Sequence, residues 1–412
     1  MTRMPVIAIA IMGLCLAAPP ATAASGNPQA PGAHFRIRPN DLPKPYATRG
    51  VGNVSRTVAR PADATLRVPT GFAVALFATG LSGPRNLLVL ANGDVLAAES
   101  YAGRITLLRD TNGDGKADTV GTFADGFKRP YGMAFHDGAL YVGDVKGIWR
   151  LAYTAGALKA GTRKRITKPG VLGGWSDHWT RNIAFGPKGR LFLAEGSTQN
   201  VGIDPAPHAA VSIVKPDGTL APFAGGLRNP VGLAVRPGSH ALYTVVNERD
   251  MLGTNLPPDY FTRVRNGDFF GWPYAYIGPH PDPQFGAKRP DLVARAKTPD
   301  VLFQPHSAPL GLVFYDGDQF PAEYKGDAFV ALHGSWNAAP PTGYKVVRIR
   351  FQNGRPEAGY ENFVTGWWRP RTDPAQVWGR PAGLAVARDG SLLIADDAGK
   401  AIWRVRYIGP KK

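Results

Sequence analysis

Cysteine is all but missing: the 412 residues contain one, Cys15. It lies in a segment that reads as a secretory signal. Arg3 is followed by an apolar stretch from Val6 to Ala18, then by Ala21-Thr22-Ala23 as a small-x-small cleavage site. A lipoprotein signal would want a small residue where Leu14 stands. Removal of residues 1–23 leaves no cysteine, which excludes disulfides and a catalytic thiol. Long hydrophobic runs are also missing. The stretch before the cleavage site is too short to span a bilayer, and no other segment approaches the required length. No membrane span is expected. An exported protein is, periplasmic if the source is Gram-negative and otherwise secreted.

Acidic residues are scarce. Asp and Glu number 31 against 48 Lys and Arg, a formal net charge of +17. Such an excess favours an anionic partner: nucleic acid, a membrane surface, an acidic substrate or an acidic cofactor. The basic residues are dispersed, with no run of five or six, so no nucleic-acid partner is expected. Long helices are disfavoured too, because 50 Gly and 38 Pro are spread along the chain. That composition suits many short strands joined by turns.

Residues 24–65 are rich in Pro, Ala and Arg without periodicity and read as an extended arm or linker. From residue 66 to 412 one pattern recurs six times. It is GPRNLLVLANGDVLAAES from Gly83, KRPYGMAFHDGALYVGD from Lys128, HWTRNIAFGPKGRLFLAEG from His178, and GLRNPVGLAVRPGSHALYTVVNE from Gly226. HSAPLGLVFYDG with FVALHGSWN from His306 and GRPAGLAVARDGSLLIADD from Gly379 complete the set. Each copy is a turn, an apolar strand, a polar turn and a second apolar strand, the last ending at Glu99, Asp144, Glu195, Glu248, His333 or Asp396. Third strands such as GRITLLRD and KAIWRVRY alternate apolar with polar, and weaker fourth strands follow. Four antiparallel strands at intervals of roughly 45 to 60 residues predict an all-β, six-bladed β-propeller. The chain ends on a third strand, so FAVALFATGL, ahead of the first repeat, is expected to close the ring. A longer interval between Asp250 and His306 holds an insertion rich in Pro and aromatics, expected on the binding face.

In a propeller the residues just before each innermost strand sit at the mouth of the central channel. Here they are Arg85, Arg129, Arg181, Arg228 with Asn229, and Arg380; the His306 repeat alone has Ser307-Ala308-Pro309. Several guanidinium groups around one mouth repel unless an anion lies among them. The structural alternative pairs each arginine with an acid ending a second strand. His178, in GWSDHWTRN, stands at the same level and has the pKa range of a general base; Trp175 and Trp179 could instead bury it. His306 and His333 stand at edges of the fifth repeat. Separately, Asp110, Asn112, Asp114 and Asp118 in DTNGDGKAD match the front of a calcium loop, with Gly121 where its bidentate Glu belongs. A tight Asx-bonded turn explains the same residues.

SDHWTRNIAFGPKGRLFLAEGS, GLRNPVGLAV, FFGWPY, HSAPLGLVFYDG, HGSWN and WGRPAGLAV together resemble the soluble glucose/sorbosone dehydrogenases, nearest their sorbosone branch. The resemblance implies an exported propeller that uses pyrroloquinoline quinone (PQQ) and calcium. It implies catalytic roles for His178 and Arg228, cofactor contacts from Arg228, Asn229 and Arg380, and calcium on the backbone carbonyls of Glu248 and Arg249. Ser197 stands where the glucose branch places an Asp on the cofactor and is expected to contact it in that residue's stead; Phe127-Lys128-Arg129 replaces its Gln, so Arg129 is expected to bind the cofactor and supply charge. Thr342 stands where that branch has a cofactor Lys, with Lys345 nearby. These departures count against glucose itself. The activity expected is oxidation of an aldose or sugar aldehyde, sorbosone-like, with electrons passing to an external cytochrome or quinone. A non-catalytic propeller binding an anion or partner, and a calcium-dependent lactonase, are the alternatives.

Overall fold

A computed structural model describes residues 28–174 and 177–410. The expected signal segment, with Cys15, and Trp175 lie outside them. The described residues build the expected six-bladed propeller. Blade 1 runs Asn86–Val89, Val95–Glu99, Arg104–Arg109 and Thr119–Ala124 from axis to rim, and the other blades repeat that order. Blade 6 consists of Pro381–Val386, Leu392–Asp396 and Ala401–Tyr407, and its outer strand is Phe72–Ala78. The register pairs Phe72 with Tyr407 and Leu76 with Trp403, so the two ends of the propeller segment close the ring as predicted.

The second strands of blades 1, 3, 4, 5 and 6 are buried along their whole length. Blades stack face to face, so these strands have no solvent side and read as apolar runs. The third strands are more buried than their alternation predicts for the same reason; Lys345–Ile349 is buried throughout. Around the axis the inner strands share one feature. At equivalent positions blades 2, 4, 5 and 6 carry Gly132, Gly232, Gly311 and Gly383, and a β-carbon at any of them would strike the backbone of the next blade. Blades 1 and 3 carry Asn86 and Asn182 there, whose amides donate to Tyr131 O and Val231 O of the following blade. Glycine permits the close approach and asparagine bonds across it.

The arm lies along the propeller. His34–Phe35 adds a fifth strand to blade 5 beside Tyr360–Val364, and Arg56–Thr57 pairs with Gln376–Val377. Between them, Tyr46 N donates to Leu252 O and Asn53 N to Trp336 O, so the arm joins the loops that follow the second strands of blades 4 and 5. Part of the long insertion is the third strand of blade 4, Pro258–Val264. The rest, ahead of the fourth strand Val301–Pro305, runs beside blade 3, where Phe269 bridges Gly225 and Trp272 N donates to Gly226 O. Among the described residues no helix is long and apolar enough to cross a membrane; the one α-helix is Pro290–Arg295.

Candidate active site at the channel mouth

The expected ring of five equivalent arginines is corrected by the level at which each stands. Arg85 and Arg181 occupy the position of Tyr131, Val231, Leu310 and Ala382, directly before the Gly or Asn at the axis. Arg129 and Arg380 stand two residues earlier, and Arg228 three. Arg181 is fully buried. It ion-pairs with Glu195 at 3.0 Å and donates to the carbonyls of His178, Thr180 and Gly174. It is structural, the one arginine of the five paired with the acid ending its own blade's second strand. Elsewhere those acids mainly accept backbone N–H groups: Asp144 from Lys128, Lys146 and Gly147, and Asp396 from Arg380 and Gly399.

Tyr131, Val231, Leu310 and Ala382, with Trp179 beside them, form a small apolar floor across the channel. The charged groups stand around it. Arg85 ion-pairs with Asp397, whose carboxylate also holds His333 Nε2 at 2.9 and 3.0 Å. Arg380 donates from Nε to His333 O at 3.0 Å and from Nη2 to Gly334 O at 2.7 Å. The Arg129 guanidinium carbon lies 4.1 Å from the Tyr101 ring centroid and 5.3 Å from that of Trp179. Burial and then Arg380 hold the His333 imidazole down to about 4. An apolar floor with a cationic margin fits a planar polyanion.

His178 and Arg228 meet on the blade 3–blade 4 side. A β-carbon at Gly196 would lie 2.5 Å from both His178 Cβ and Asn229 Oδ1, which brings those two residues together over Gly196. His178 Nδ1 is 2.9 Å from Ser197 O and 2.9 Å from Ser197 Oγ. Donation from Nδ1 to the carbonyl makes Nε2 the basic nitrogen. Burial, then the Arg228 charge, push the imidazole down to about 3, so it is neutral at ordinary pH. Ser197 is therefore corrected: it is fully buried under His178 and its hydroxyl donates to Gln199 O. It orients the histidine and is not placed to touch a ligand at the mouth. Asn229 Oδ1 is buried and has no hydrogen-bond partner among the described residues, an acceptor left over for a bound donor.

Arg228 is 3% exposed. Its Nε donates to Asn200 O at 3.2 Å and Nη2 to Asn200 Oδ1 at 2.8 Å, while Nη1 donates to Asn247 O at 3.2 Å and Glu248 O at 2.6 Å. Trp272 lies behind it, 5.7 Å from ring centroid to guanidinium carbon, with its indole N–H on Asp204. The two carbonyls expected to hold calcium stand beside this arginine: that of Glu248 accepts Arg228 Nη1 at 2.6 Å, and the Arg249 side chain pairs with Asp282. Among the described residues no three His, Cys, Asp or Glu side chains are grouped to hold a metal.

Other expected residues are committed to contacts within the fold. His306 is buried between Gly253 O and Asn337. Thr342 bonds Pro305 O, and Lys345 is buried against Gln304 and the Phe35 ring of the arm. Asp110, Asn112, Asp114 and Asp118 sit in the turn after Arg104–Arg109, at the opposite end of blade 1. Their side chains accept the loop's own N–H groups, from Gly113 and Gly115, Asp114, Lys116 and Thr111 in turn. Asn200, Trp272 and Asp397 were not anticipated; the doubled Asp at 396–397 was a visible signal, whereas Asn200 had none.

A model of the TrAA12-like family matches residues 66–263 and 288–407. The chain belongs to the TrAA12-like family. It is 30% identical to an uncharacterized protein of Borreliella burgdorferi over 370 residues, covering 85% of this chain and 93% of that one. It is 27% identical to a pyrroloquinoline quinone-dependent pyranose dehydrogenase of Coprinopsis cinerea, over 84% of this chain and 55% of that enzyme, so it spans about half the length of that relative. The holo structure of the PQQ domain of Coprinopsis pyranose dehydrogenase superposes with a TM-score of 0.69 at 23% identity, over 86% of this chain and all of that domain. The family match does not single out the sorbosone branch.

Proposed function

We propose that this protein is a PQQ-dependent sugar dehydrogenase, oxidising a pyranose, another aldose or a sugar aldehyde such as sorbosone. The observation that carries the reading is Arg228, buried beside a neutral histidine at the edge of an apolar floor, with no carboxylate hydrogen-bonded to it. The Coprinopsis relative, by name a pyrroloquinoline quinone-dependent pyranose dehydrogenase, supports the same reading.

Residues suited to the cofactor are Arg228, Asn229 and Arg380, with Arg129 completing the cationic margin. When bound, PQQ supplies a quinone carbonyl that accepts a hydride. His178 Nε2 takes the hydroxyl proton of the aldose or of the hydrated aldehyde, and Ser197 O holds Nδ1–H so that Nε2 stays the acceptor. Arg228 stabilises negative charge that develops at the neighbouring oxygen, in a buried setting where a fixed charge acts strongly. Tyr131, Val231, Leu310 and Ala382 exclude water from below. Calcium, if held by the Glu248 and Arg249 carbonyls, would add positive charge beside Arg228. Electrons leave to an external cytochrome or quinone, and the reading of residues 1–23 as a signal supports a reaction in the periplasm or outside the cell.

The test is reconstitution of the purified protein with PQQ, with calcium and with chelator, read by absorbance and by dye reduction against aldoses and aldehydes. Bound quinone that substrate reduces, and whose reduction is lost in His178→Ala, supports the enzyme. No binding at micromolar quinone under either condition overturns it in favour of a non-catalytic anion-binding propeller.

A further inference from the structure

Arginine in a protein interior is usually met on its Nε/Nη2 edge by a carboxylate, which matches the fork and cancels the charge. Arg228 is met on that edge by Asn200. The main-chain oxygen of Asn200 takes Nε–H and its side-chain oxygen takes Nη2–H, at 3.2 and 2.8 Å. Two oxygens thus copy the carboxylate's shape without its charge. The opposite edge is held by two more neutral oxygens, Asn247 O and Glu248 O. The nearest carboxylate is Asp250, at 3.7 Å, beyond hydrogen-bond range; its Oδ1 takes the Asn337 amide at 2.6 Å. The other acids nearby are met by main-chain donors: Asp259 accepts Glu248 N and Ala308 N, and Glu248 Oε2 accepts Arg249 N.

Asn200 also ties three pieces of the site together. It stands in the loop after the second strand of blade 3, holds the arginine ahead of blade 4's inner strand, and accepts Asp250 N from the loop after blade 4's second strand at 3.0 Å. A purely structural clamp would gain from an aspartate here. Aspartate has the same size, would keep all three bonds, and would form an ion pair with Arg228. A neutral amide at this place keeps the guanidinium aimed and charged at once.

We propose that Asn200 is a positioning residue that fixes Arg228 while leaving its charge for a bound carboxylate or oxyanion, so that asparagine rather than aspartate at 200 is what keeps the mouth an anion site. This rests on the reading of the mouth as the cofactor site. The class of ligand concerned is a small polycarboxylate, PQQ included.

The experiment compares the wild-type protein with Asn200→Asp and Asn200→Ala, in chelator, by thermal melting and by titration with two probes: PQQ and citrate, a tricarboxylate without redox chemistry. Asn200→Asp is expected to melt at or above the wild-type temperature and to bind both probes about a hundredfold more weakly, the effect of one opposing charge a few ångströms from the site. Asn200→Ala, which loses the two bonds made by Oδ1 and adds no charge, is expected to lose only a few-fold. Wild-type binding of citrate but not of PQQ sinks the dehydrogenase reading and leaves this inference standing. Equal affinities for wild type and Asn200→Asp overturn it, as does an alanine variant that binds as weakly as the aspartate one. Wild-type protein that binds neither probe overturns both.

Discussion

Gly196 offers the sharpest test of how closely the mouth is built. It follows Glu195, the buried end of blade 3's second strand, and its φ lies outside the left-handed region, so its backbone would accept alanine. What alanine meets is side chains: His178 Cβ and Asn229 Oδ1, each 2.5 Å from the new methyl carbon. Non-bonded carbons rest at roughly 3.5 to 4 Å, so about 1 Å of movement is needed. His178 Cβ is fixed to its backbone, and Asn229 is fixed between Arg228 and Pro230. The displacement therefore falls on the relation between the base and the arginine. Overpacking of this kind costs about 1–3 kcal/mol of stability. A misplacement of about 1 Å at a reacting centre costs roughly a hundredfold in rate. Gly196→Ala should then stay folded, melt somewhat lower and turn over sugar about a hundredfold more slowly. Gly121→Ala is the control, because that glycine faces open space at the far end of blade 1. Thermal melting, quinone titration and dye-coupled rates together decide. A Gly196→Ala protein within twofold of wild type in rate and affinity would refute the placement of His178 against Asn229.

Three further outcomes are expected. Protonation at Nε2 removes the base, and burial holds His178 down to about 3, so the turnover rate should show no His178 ionisation between pH 5 and 8 and should fall only as pH drops towards 3; an acid limb near 6.5 contradicts this. Phe72 meets Phe320, Tyr324, Phe363 and Tyr407 at centroid distances of 4.9 to 5.3 Å where the ring closes, so Phe72→Ala should cost about 3–5 kcal/mol in urea unfolding. Burial moves both Arg181 and Glu195 away from their charged forms, Glu195 up to about 7. A folded value above the unfolded one means stability that is lost as pH rises from about 4.5 through about 7. Arg181→Met leaves that carboxylate unpaired and should cost about 3–5 kcal/mol, more at pH 8 than at pH 6, read by denaturation at both.

The propeller was legible because its signals are local and repeated. Turn, strand, turn, strand recurs six times, and a chain ending on a third strand must find its fourth elsewhere; Phe72–Ala78 is where arithmetic put it. The burial of the third strands was not legible, since alternation reports one solvated face and a blade between two others has none. Nor could composition show that the Pro-rich arm pairs with blade 5 and with Gln376–Val377, ahead of blade 6. Its strands are two residues long, His34–Phe35 and Arg56–Thr57, shorter than any periodicity can register.

The site was legible as residues and not as levels. Reading an arginine ahead of every inner strand made five alike, yet a shift of two positions along a strand separates a group at the mouth from one in the interior. Arg181 and Arg129 illustrate it: the first stands where Tyr131 stands and is sealed against Glu195, the second lies two residues further out, against Tyr101 and Trp179. The alignment needed to see this is supplied by Gly132, Gly232, Gly311 and Gly383 with Asn86 and Asn182, a column visible in the sequence once its purpose at the axis is known. Charge was harder still. A count of arginines treats each as an available cation, but Arg85 is largely spent on Asp397, and Arg228 is not spent at all on its closest partners, because they are amides and carbonyls. Whether a basic residue serves a ligand or the fold is decided by the oxygen that meets it, and in this mouth that oxygen belongs to Asn200, two loops away in space and 28 residues away in sequence.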